Sequence, residues 1–409
     1  MTSDRATPPT EAFVWIWLPD AVDPVVCGRL DASNGPTPFT YARSYRERSN
    51  AVAVYPAELP LQAGAQFARG GNGLPLCIDD AMPDAWGRRL VNHRLGAGYA
   101  ELPDLTYLLE SGSDRIGALD FQVSAAEYVE RDADQPTLDE LTEASHRIDT
   151  GQALDPRLEM ALLRGTSIGG ARPKALLDDG TALIAKFSST SDTYPVVQGE
   201  FVAMTLAARC GLDVAAVRLT SSAGRLIVLV ERFDRPGGQQ RRRVVSALTI
   251  LGLDPFPGGR YATYVELANR VRAGFANPDR TLKELFSRIV FSVMCGNTDD
   301  HGRNHAAFVD EAGLALTPAY DICPQARTGN SAAQAMAYGP DGQRSSRLEP
   351  LIDASHLYHL DRLTARQIVA AFEHTIRTSW REVCDLAALT ETQRNAFFGG
   401  QFLNPFIFE

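Results

Sequence analysis

The sequence predicts an α+β protein made of three consecutive parts: a small β-rich domain, a strand-rich lobe containing one helix, and a helical lobe. Short β-rich pieces separated by Gly, Pro and Asn fill the first hundred residues. Residues 167–234 are again mostly β-rich, whereas apolar residues at helical spacing dominate the remainder. We place the three parts at 1–135, 136–236 and 237–409.

The composition is that of a globular protein of enzyme size. Of 409 residues, 44% are hydrophobic and 22% are charged, which excludes the disordered and fibrous classes. No apolar run reaches the ~18 residues that cross a bilayer, and the six cysteines include no Cys-x-x-Cys pair. We therefore expect a cytoplasmic protein. The formal net charge of −10 argues against nucleic-acid binding along the whole surface, so any DNA contact is local or made by a partner.

The elements of the first part and its border follow from turn residues and caps. Thr137 and Glu140 form a capping box that opens a helix after a polar linker at 127–136. The strands expected before this linker are 13–18, 25–30, 39–45 and the Pro-bounded 52–61.

In the second part, the Asp-Gly pair in Asp178-Asp179-Gly180 indicates a tight hairpin. In the third, Thr281 and Glu284 suggest a capping box at the start of a long helix. The elements expected here are strands at 174–177, 182–187, 214–220 and 226–233, helices at 198–210 and 281–293, and a hairpin at 306–316.

Asp299 and Asn304, which follow the long helix, have the spacing of the catalytic Asp and the metal-binding Asn in the kinase catalytic loop. The carboxylate must meet the attacking hydroxyl while the amide, further along the loop, points at the phosphate-bound magnesium. Asp321, beyond the predicted hairpin, offers a second carboxylate for that metal. Since a single Asp–Asn pair in a loop is commonly a turn or a cap, the prediction depends on the ordered set.

The predicted strand at 182–187 carries Lys186 near its end, where kinases have the lysine that holds the α- and β-phosphates. The alternative is an edge-strand lysine that limits aggregation. Glu200, in the only helix of this lobe, is the candidate partner of Lys186, although it could equally be a solvated acid in the first turn.

Two further segments of the lobe have the composition of nucleotide contacts. Residues 166–174 include the small residues that a loop needs if it is to pass close to phosphates. They match neither the Walker pattern nor Gly-x-Gly-x-x-Gly, and taken alone they indicate a turn. Residues 229–234 end the lobe where a kinase hinge offers backbone groups to adenine, and Asp234 could approach the ribose hydroxyls. His301 and His305 have the spacing of zinc ligands on a helix, but Gly302 disfavours a helix there.

Taken together, segments 167–174, 183–187, 230–235, 296–304 and 316–324 resemble the HipA family of serine/threonine kinase toxins. The resemblance spans almost the whole chain. It implies a protein-kinase-like two-lobe fold, with a strand-rich, ATP-binding N-lobe, an all-helical C-lobe that carries the catalytic loop, and an additional N-terminal β-rich subdomain.

The resemblance also implies roles for individual residues. Asp299 is the expected catalytic carboxylate, Asn304 and Asp321 are the expected Mg²⁺ ligands, and Lys186 is expected to hold phosphate. The remaining residues expected to contact or support the nucleotide are Ser167, Ile168, Gly169, Gly170, Ala171, Lys174, Glu200, Glu231, Phe233 and Asp234.

Ser167 matches the serine that these kinases autophosphorylate, and Thr166 is a competing acceptor. A phosphate there adds roughly −1.5 to −2 charges beside the ATP phosphates, and the repulsion would drive the loop out of the site. Arg303 departs from the family, which commonly has a lysine at this position, but it keeps the charge.

The implied function is an ATP- and Mg²⁺-dependent kinase toxin. Its expected target is an aminoacyl-tRNA synthetase, typically the glutamyl enzyme, and its expected partner is a HipB-like helix-turn-helix antitoxin that carries the contact with operator DNA. Two alternatives stay open: a kinase for a small molecule such as an aminoglycoside, which shares the Asp–Asn spacing, and an inactive kinase fold that acts as a co-repressor.

Overall fold

The computed structural model of the protein describes residues 7–33, 35–69, 73–98, 100–131, 137–150, 152, 158, 162, 173–189, 192–254, 258–327, 329 and 331–409. Internal contacts divide the chain into two units. The first unit comprises Met1–Ile184 and Asp234–Val245, and the second comprises Ala185–Phe233 and Ser246–Glu409. The three-part division at 135 and 236 stays a prediction.

An antiparallel sheet forms the β-rich part of the first unit. Its strands lie in the order β3-β2-β1-β4, so β1 pairs with both β2 and β4. Almost every residue of β1 is buried or half-buried, as expected for a central strand. The strands are β1 (Glu11–Ile16), β2 (Val25–Asp31), β3 (Phe39–Tyr41) and β4 (Leu119–Gln122).

The strand predicted at 52–61 is wrong, because these residues form a loop. Pro56 and Pro60 have no N–H to give to a strand ladder. The loop is held by a side chain instead: Tyr41 Oη accepts from Val54 N at 2.8 Å and donates to Leu59 O at 2.8 Å.

Two helices of the first unit, α3 and α5, begin at side-chain caps. Asp84 caps α3 by accepting from Gly87 N at 2.7 Å. The capping box predicted before α5 is confirmed, since Thr137 Oγ1 accepts from Glu140 N at 3.2 Å and Thr137 N donates to Glu140 Oε2 at 2.8 Å. Among the residues that the structure describes, the longer helical segments of this unit are α1 (Arg43–Arg46), α2 (Leu76–Asp79), α3 (Ala85–Arg94), α4 (Asp104–Glu110) and α5 (Leu138–Asp149).

The hairpin predicted around Asp178-Asp179-Gly180 is confirmed as β5 (Lys174–Asp178) and β6 (Ala182–Phe187). Asp178 Oδ1 accepts from Gly180 N at 2.9 Å and tightens the turn. The chain passes from the first unit into the second within β6.

In the second unit, α6 (Val196–Arg209) packs on β7 (Val217–Ser222) and β8 (Arg225–Glu231). The two strands are antiparallel, with Val217 opposite Val230 and Ser222 opposite Arg225. These elements confirm the predicted helix and strand pair, with ends displaced by a few residues.

The remainder of the second unit is largely helical, and the predicted hairpin at 306–316 is confirmed within it as β10 and β11. The long helix α9 starts at Pro278 after Asn277, so the capping box predicted at Thr281 is wrong. Proline suits the first helical turn, where its missing N–H costs no hydrogen bond. The short strand β9 (Val244–Ser246) ends the returning segment of the first unit, and only its last residue belongs to the second unit. The described elements that follow are α7 (Ala247–Leu251), α8 (Tyr264–Gly274), α9 (Pro278–Cys295), β10 (Ala306–Asp310), β11 (Gly313–Leu316), α10 (Leu348–Asp353), α11 (Arg362–Leu386) and α12 (Glu391–Phe397).

Among the residues described, no helix has both the length and the apolar character that crossing a membrane requires.

Candidate active site

Lys186 lies between two carboxylates in the second unit. Its Nζ is 2.5 Å from Glu200 Oε1 and 2.6 Å from Asp321 Oδ1. Strand alternation in β6 buries Phe187 and turns Lys186 to the other face, towards the second turn of α6, where Glu200 lies. The side chain of Glu200 is 3% exposed and that of Asp321 is 37% exposed. This three-residue centre is therefore closed to solvent at Glu200 and open to solvent at Asp321.

The charge of Lys186 is stabilised by its two partners. Burial by itself would lower the pKa of the ammonium group, but the carboxylates of Asp321 and Glu200 outweigh burial and raise the pKa. The centre therefore holds a permanent cation at neutral pH.

Asp321 lies in a segment that is held on both sides. Before it, Ala319 N donates to Asp213 O at 2.7 Å; after it, Tyr194 Oη donates to Pro324 O at 2.8 Å. Asp321 itself has a φ of +58°, a left-handed conformation that Asp tolerates better than most residues. The fixed flanks hold the carboxylate in this uncommon conformation beside Lys186.

The end of α9 determines where the loop with Asp299 starts. Gly296 follows the helix with a φ of +73°, and a Cβ there would lie 2.9 Å from Gln401 O, so only glycine fits. In the loop, Asp299 is exposed and Gly302–Asn304 form a 3₁₀ turn. Asn304 is buried, and its Nδ2 donates to Asp299 O at 3.3 Å, which leaves its amide oxygen as the group that can bind a cation.

Asp299 is electrostatically connected to Asp321. Partial desolvation raises the pKa of Asp299, His301 opposes this rise, and the negative charges of Asp321 and Asp300 add to it. The structure thus brings Lys186, Glu200, Asp299, Asn304 and Asp321 together within one unit.

Asp300, next to Asp299, is a buried charged residue that sequence reasoning missed. Its carboxylate contacts His305, Tyr264 and Ser292. Burial would raise the pKa of Asp300, but these three contacts outweigh it and lower the pKa, so the carboxylate is ionised. His305, considered above only as a metal ligand, is a partner of this carboxylate. No local sequence pattern distinguishes Asp300 from an exposed loop acid.

The donor set suits magnesium. Among the described residues, no three His, Cys, Asp or Glu side chains form a group that could hold a metal ion. Mg²⁺ at phosphotransfer sites needs only one or two protein oxygen ligands, because substrate phosphates and water supply the others. The carboxylate of Asp321 and the amide oxygen of Asn304 are ligands of this kind.

Two predicted nucleotide contacts are instead occupied inside the first unit. Lys174 is 1% exposed, and its Nζ lies 2.5 Å from Asp84 Oδ2. Asp234 is 1% exposed, and its Oδ2 accepts from Gly117 N and from Arg235 Nη1, both at 2.7 Å. Both side chains are buried and paired, so this geometry favours structural roles for them over the expected contacts with phosphate and ribose.

The predicted hinge, residues 229–234, lies wholly within the described residues. Glu231 N donates to Ala216 O at 2.8 Å, so at this residue the carbonyl is the backbone group that an adenine could meet. The ring of Phe233 packs 5.5 Å from Tyr320, whose hydroxyl donates to Arg303 O at 2.7 Å. The expected phosphate loop, Ser167, Ile168, Gly169, Gly170 and Ala171, lies outside the described residues.

Comparison with family models gives two matches. The HipA-like C-terminal domain matches residues 166–385, which is more than half of the chain. The HipA N-terminal domain matches residues 21–122.

Curated relatives include a Sinorhizobium fredii protein named "Putative kinase Y4mE", which is 27% identical in a 320-residue alignment covering 71% of this chain and 72% of that protein. The "Serine/threonine-protein kinase toxin HipA" of Shewanella oneidensis is 28% identical in a 187-residue alignment covering 38% of this chain and 42% of that protein.

Among solved structures, a Shewanella oneidensis MR-1 complex of HipA, HipB and operator DNA contains a similar chain. The TM-score is 0.69 at 20% identity, with 94% of this chain and 93% of that chain covered. At this identity the likeness shows a shared fold, and it confirms the predicted α+β fold class.

Proposed function

The chain belongs to the HipA family, and on that premise we propose that it is an ATP- and Mg²⁺-dependent kinase that phosphorylates serine or threonine in proteins. The observation that carries the proposal is Lys186 held between Glu200 and Asp321, in the same unit as Asp299 and Asn304. A strand lysine paired with a helix glutamate, together with a metal-binding aspartate and asparagine, is the arrangement that kinases use.

Each side chain has a distinct role in this proposal. Asp299 positions the acceptor hydroxyl and accepts its proton, a task that suits an exposed carboxylate with a raised pKa. Lys186 stabilises negative charge on the phosphates, and Glu200 orients Lys186. Catalysis then consists mainly of positioning and electrostatic stabilisation.

Asn304 and Asp321 would hold Mg²⁺, which when bound neutralises negative charge on the phosphates. Glu231 and Phe233 would offer backbone groups to adenine. The loop from Ser167 to Ala171 would cover the phosphates.

The biological role proposed here is that of a cytoplasmic toxin. The chain would phosphorylate itself on Ser167, with Thr166 as the neighbouring acceptor, and would phosphorylate an aminoacyl-tRNA synthetase, of which the glutamyl enzyme is the first candidate. A HipB-like antitoxin would bind the chain and carry the contact with operator DNA. The names of the relatives support this role, and the net charge of −10 is compatible with a partner making the DNA contact.

Replacement of Asp299 tests the reaction. We expect Asp299→Asn to slow phosphoryl transfer from ATP by roughly 10²- to 10⁴-fold, because the general base is lost, while Mg-ATP binding is retained. Asp279→Asn, at an aspartate whose side chain is 90% exposed in the same unit, is the matched control and should keep full activity. Rates are measured by incorporation of labelled phosphate, and the modified residues are identified by mass spectrometry.

Full activity of Asp299→Asn would end the assignment. Absence of phosphoserine and phosphothreonine from residues 166–174 of the active wild type would favour the small-molecule kinase. Failure of both phosphorylation states to bind Mg-ATP would favour the inactive co-repressor. Phosphoproteomics of cells expressing the wild type or the Asp299 variant identifies the target, and an unchanged glutamyl-tRNA synthetase would exclude that candidate.

A further inference from the structure

Asp300 is the centre of a buried polar cluster formed by Tyr264, Ser292, Asp300 and His305. Asp300 Oδ2 accepts from Ser292 Oγ at 3.1 Å and from Tyr264 Oη. Asp300 Oδ1 lies 2.9 Å from His305 Nε2. None of the four residues is more than 4% exposed, so the cluster lies below the surface that presents Asp299.

A buried carboxylate is unfavourable unless both of its oxygens have partners, and the cluster supplies them. An apolar residue of similar size would fill the same space without that requirement. Asp300 therefore contributes something other than packing: hydrogen bonds from Tyr264 and Ser292 and a close polar contact with His305, which require these partners to lie in defined places.

The partners come from three parts of the second unit. Tyr264 is the first residue of α8, Ser292 lies in the last turn of α9, and His305 directly follows Asn304. The Asp300–His305 contact closes the loop across residues 301–304, while Tyr264 and Ser292 anchor it to two helices. His305 is itself fixed, because its carbonyl accepts from Ala247 N at 2.7 Å.

The cluster includes the chain neighbours of two residues that the proposed reaction uses, Asp299 and Asn304. Asp299 is exposed while its neighbour Asp300 is buried, so anchoring Asp300 holds the carboxylate of Asp299 outward. Asn304 is adjacent to His305, and its amide donates back to Asp299 O. We infer that Asp300 is a positioning residue for phosphoryl transfer, acting through Asp299 and Asn304; the inference rests on the proposed function.

The test is Asp300→Asn, which keeps the size of the side chain but replaces one acceptor oxygen by a donor. A displacement of about 1 Å at a reacting group can cost roughly 100-fold in rate, so we expect kcat to fall by about that factor. The Kd for ATP measured without Mg²⁺ should change by less than about threefold, because Lys186, which is proposed to contact the phosphates, is held by Glu200 and Asp321 and not by the cluster. Ser292→Ala, which removes one donor, should have a smaller effect.

His305 provides a rescue experiment. His305→Gln keeps an N–H donor that can reach Asp300, whereas His305→Leu does not. We expect the Gln variant to retain substantially more activity than the Leu variant. Equal loss in both would mean that donation to Asp300 is not the function of His305. Tyr264→Phe removes a single hydroxyl and replaces Asp300→Asn in the comparison if that variant does not fold.

Hydrogen exchange gives a readout that does not depend on activity. Asp300→Asn should accelerate exchange of the amides in residues 299–305 at least about tenfold. Ile376→Ala, a buried substitution in α11 with no cluster contact, is the control for general destabilisation and should leave their protection relative to other loops unchanged. Wild-type protection and wild-type kcat in Asp300→Asn would overturn the inference. A wild type without phosphoryl transfer would instead overturn the proposed function, and the exchange data would still decide whether Asp300 orders the loop.

Discussion

Three charged side chains determine the electrostatics of the candidate site at the scale of single residues. The ammonium of Lys186 contacts the carboxylates of Glu200 and Asp321, and these contacts overcome the effect of burial on its pKa. Glu200 is the more buried partner and Asp321 the more exposed one. Glu200 therefore suits the task of fixing the lysine, while Asp321 is the carboxylate that a ligand can reach.

We expect Glu200→Gln to lower kcat/KM for ATP by roughly 10- to 100-fold, or ~1.4–2.7 kcal/mol, because Lys186 then has only Asp321 to orient it. The matched control is Glu284→Gln, which removes the carboxylate from another helix ion pair, with Arg288 at 2.9 Å, that does not involve Lys186. Initial rates at varied ATP concentration give kcat/KM for each of the two variants. Activity of Glu200→Gln within twofold of the control would show that the Lys186–Glu200 pair does not orient the lysine.

At the scale of elements, the site depends on where α9 ends. Gly296 stops the helix in a left-handed conformation and packs against the backbone of Gln401, which directs the chain into the loop that contains Asp299 and Asn304. Gly211, which follows α6, has a similar φ of +84° but has no atom within 4 Å of the position of a Cβ. Substitutions at the two glycines can therefore distinguish the cost of conformational strain from the cost of close packing.

We expect Gly211→Ala to lower the free energy of unfolding by about 1–2 kcal/mol, the cost of a left-handed Cβ. Gly296→Ala should cost a further ~1–3 kcal/mol, because the new Cβ meets a backbone oxygen that a side-chain rotation cannot move. Urea unfolding at pH 7 measures both. Equal losses in the two variants would show that the approach to Gln401 relaxes freely.

For the whole molecule, neither unit is a single continuous stretch of the chain. Residues 185–233 belong to the second unit, and residues 234–245, which follow them, belong again to the first. Arg235, in the returning segment, pairs with Asp114 at 2.7 Å and donates to Gly117 O at 3.0 Å. Its side chain is 3% exposed, so the returning segment is an integral part of the core of the first unit.

We expect Arg235→Met to lower the stability of the first unit by roughly 3–5 kcal/mol, because it removes the buried guanidinium that pairs with Asp234 and Asp114. Arg43→Met, at an arginine that is 84% exposed and pairs with Glu47, is the control and should have little effect. Hydrogen exchange of residues 113–120 reports on the first unit directly. Unchanged exchange there in Arg235→Met would mean that the returning segment is dispensable for this unit.

Local interactions explain which elements were predicted correctly from sequence. The capping box of Thr137 and Glu140 and the turn at Gly180 involve groups within three residues of each other, so their patterns are visible in the sequence. The prediction of a strand at 52–61 was wrong because Pro56 and Pro60 have no N–H to give to a strand ladder. The cap predicted at Thr281 was wrong because the helix begins earlier, at Pro278.

The sequence by itself determined the candidates for the site, because residue type and spacing along one loop point to Asp299 and Asn304, strand position points to Lys186, and the helix of the lobe offers Glu200 as its partner. Only the tertiary structure decided which side chains contact each other over long distances in the chain. Asp321 is 135 residues from Lys186 along the chain. Asp84 is 90 residues from Lys174. Pairing and desolvation at such distances depend on how the elements pack, and a local pattern of residues does not contain that information.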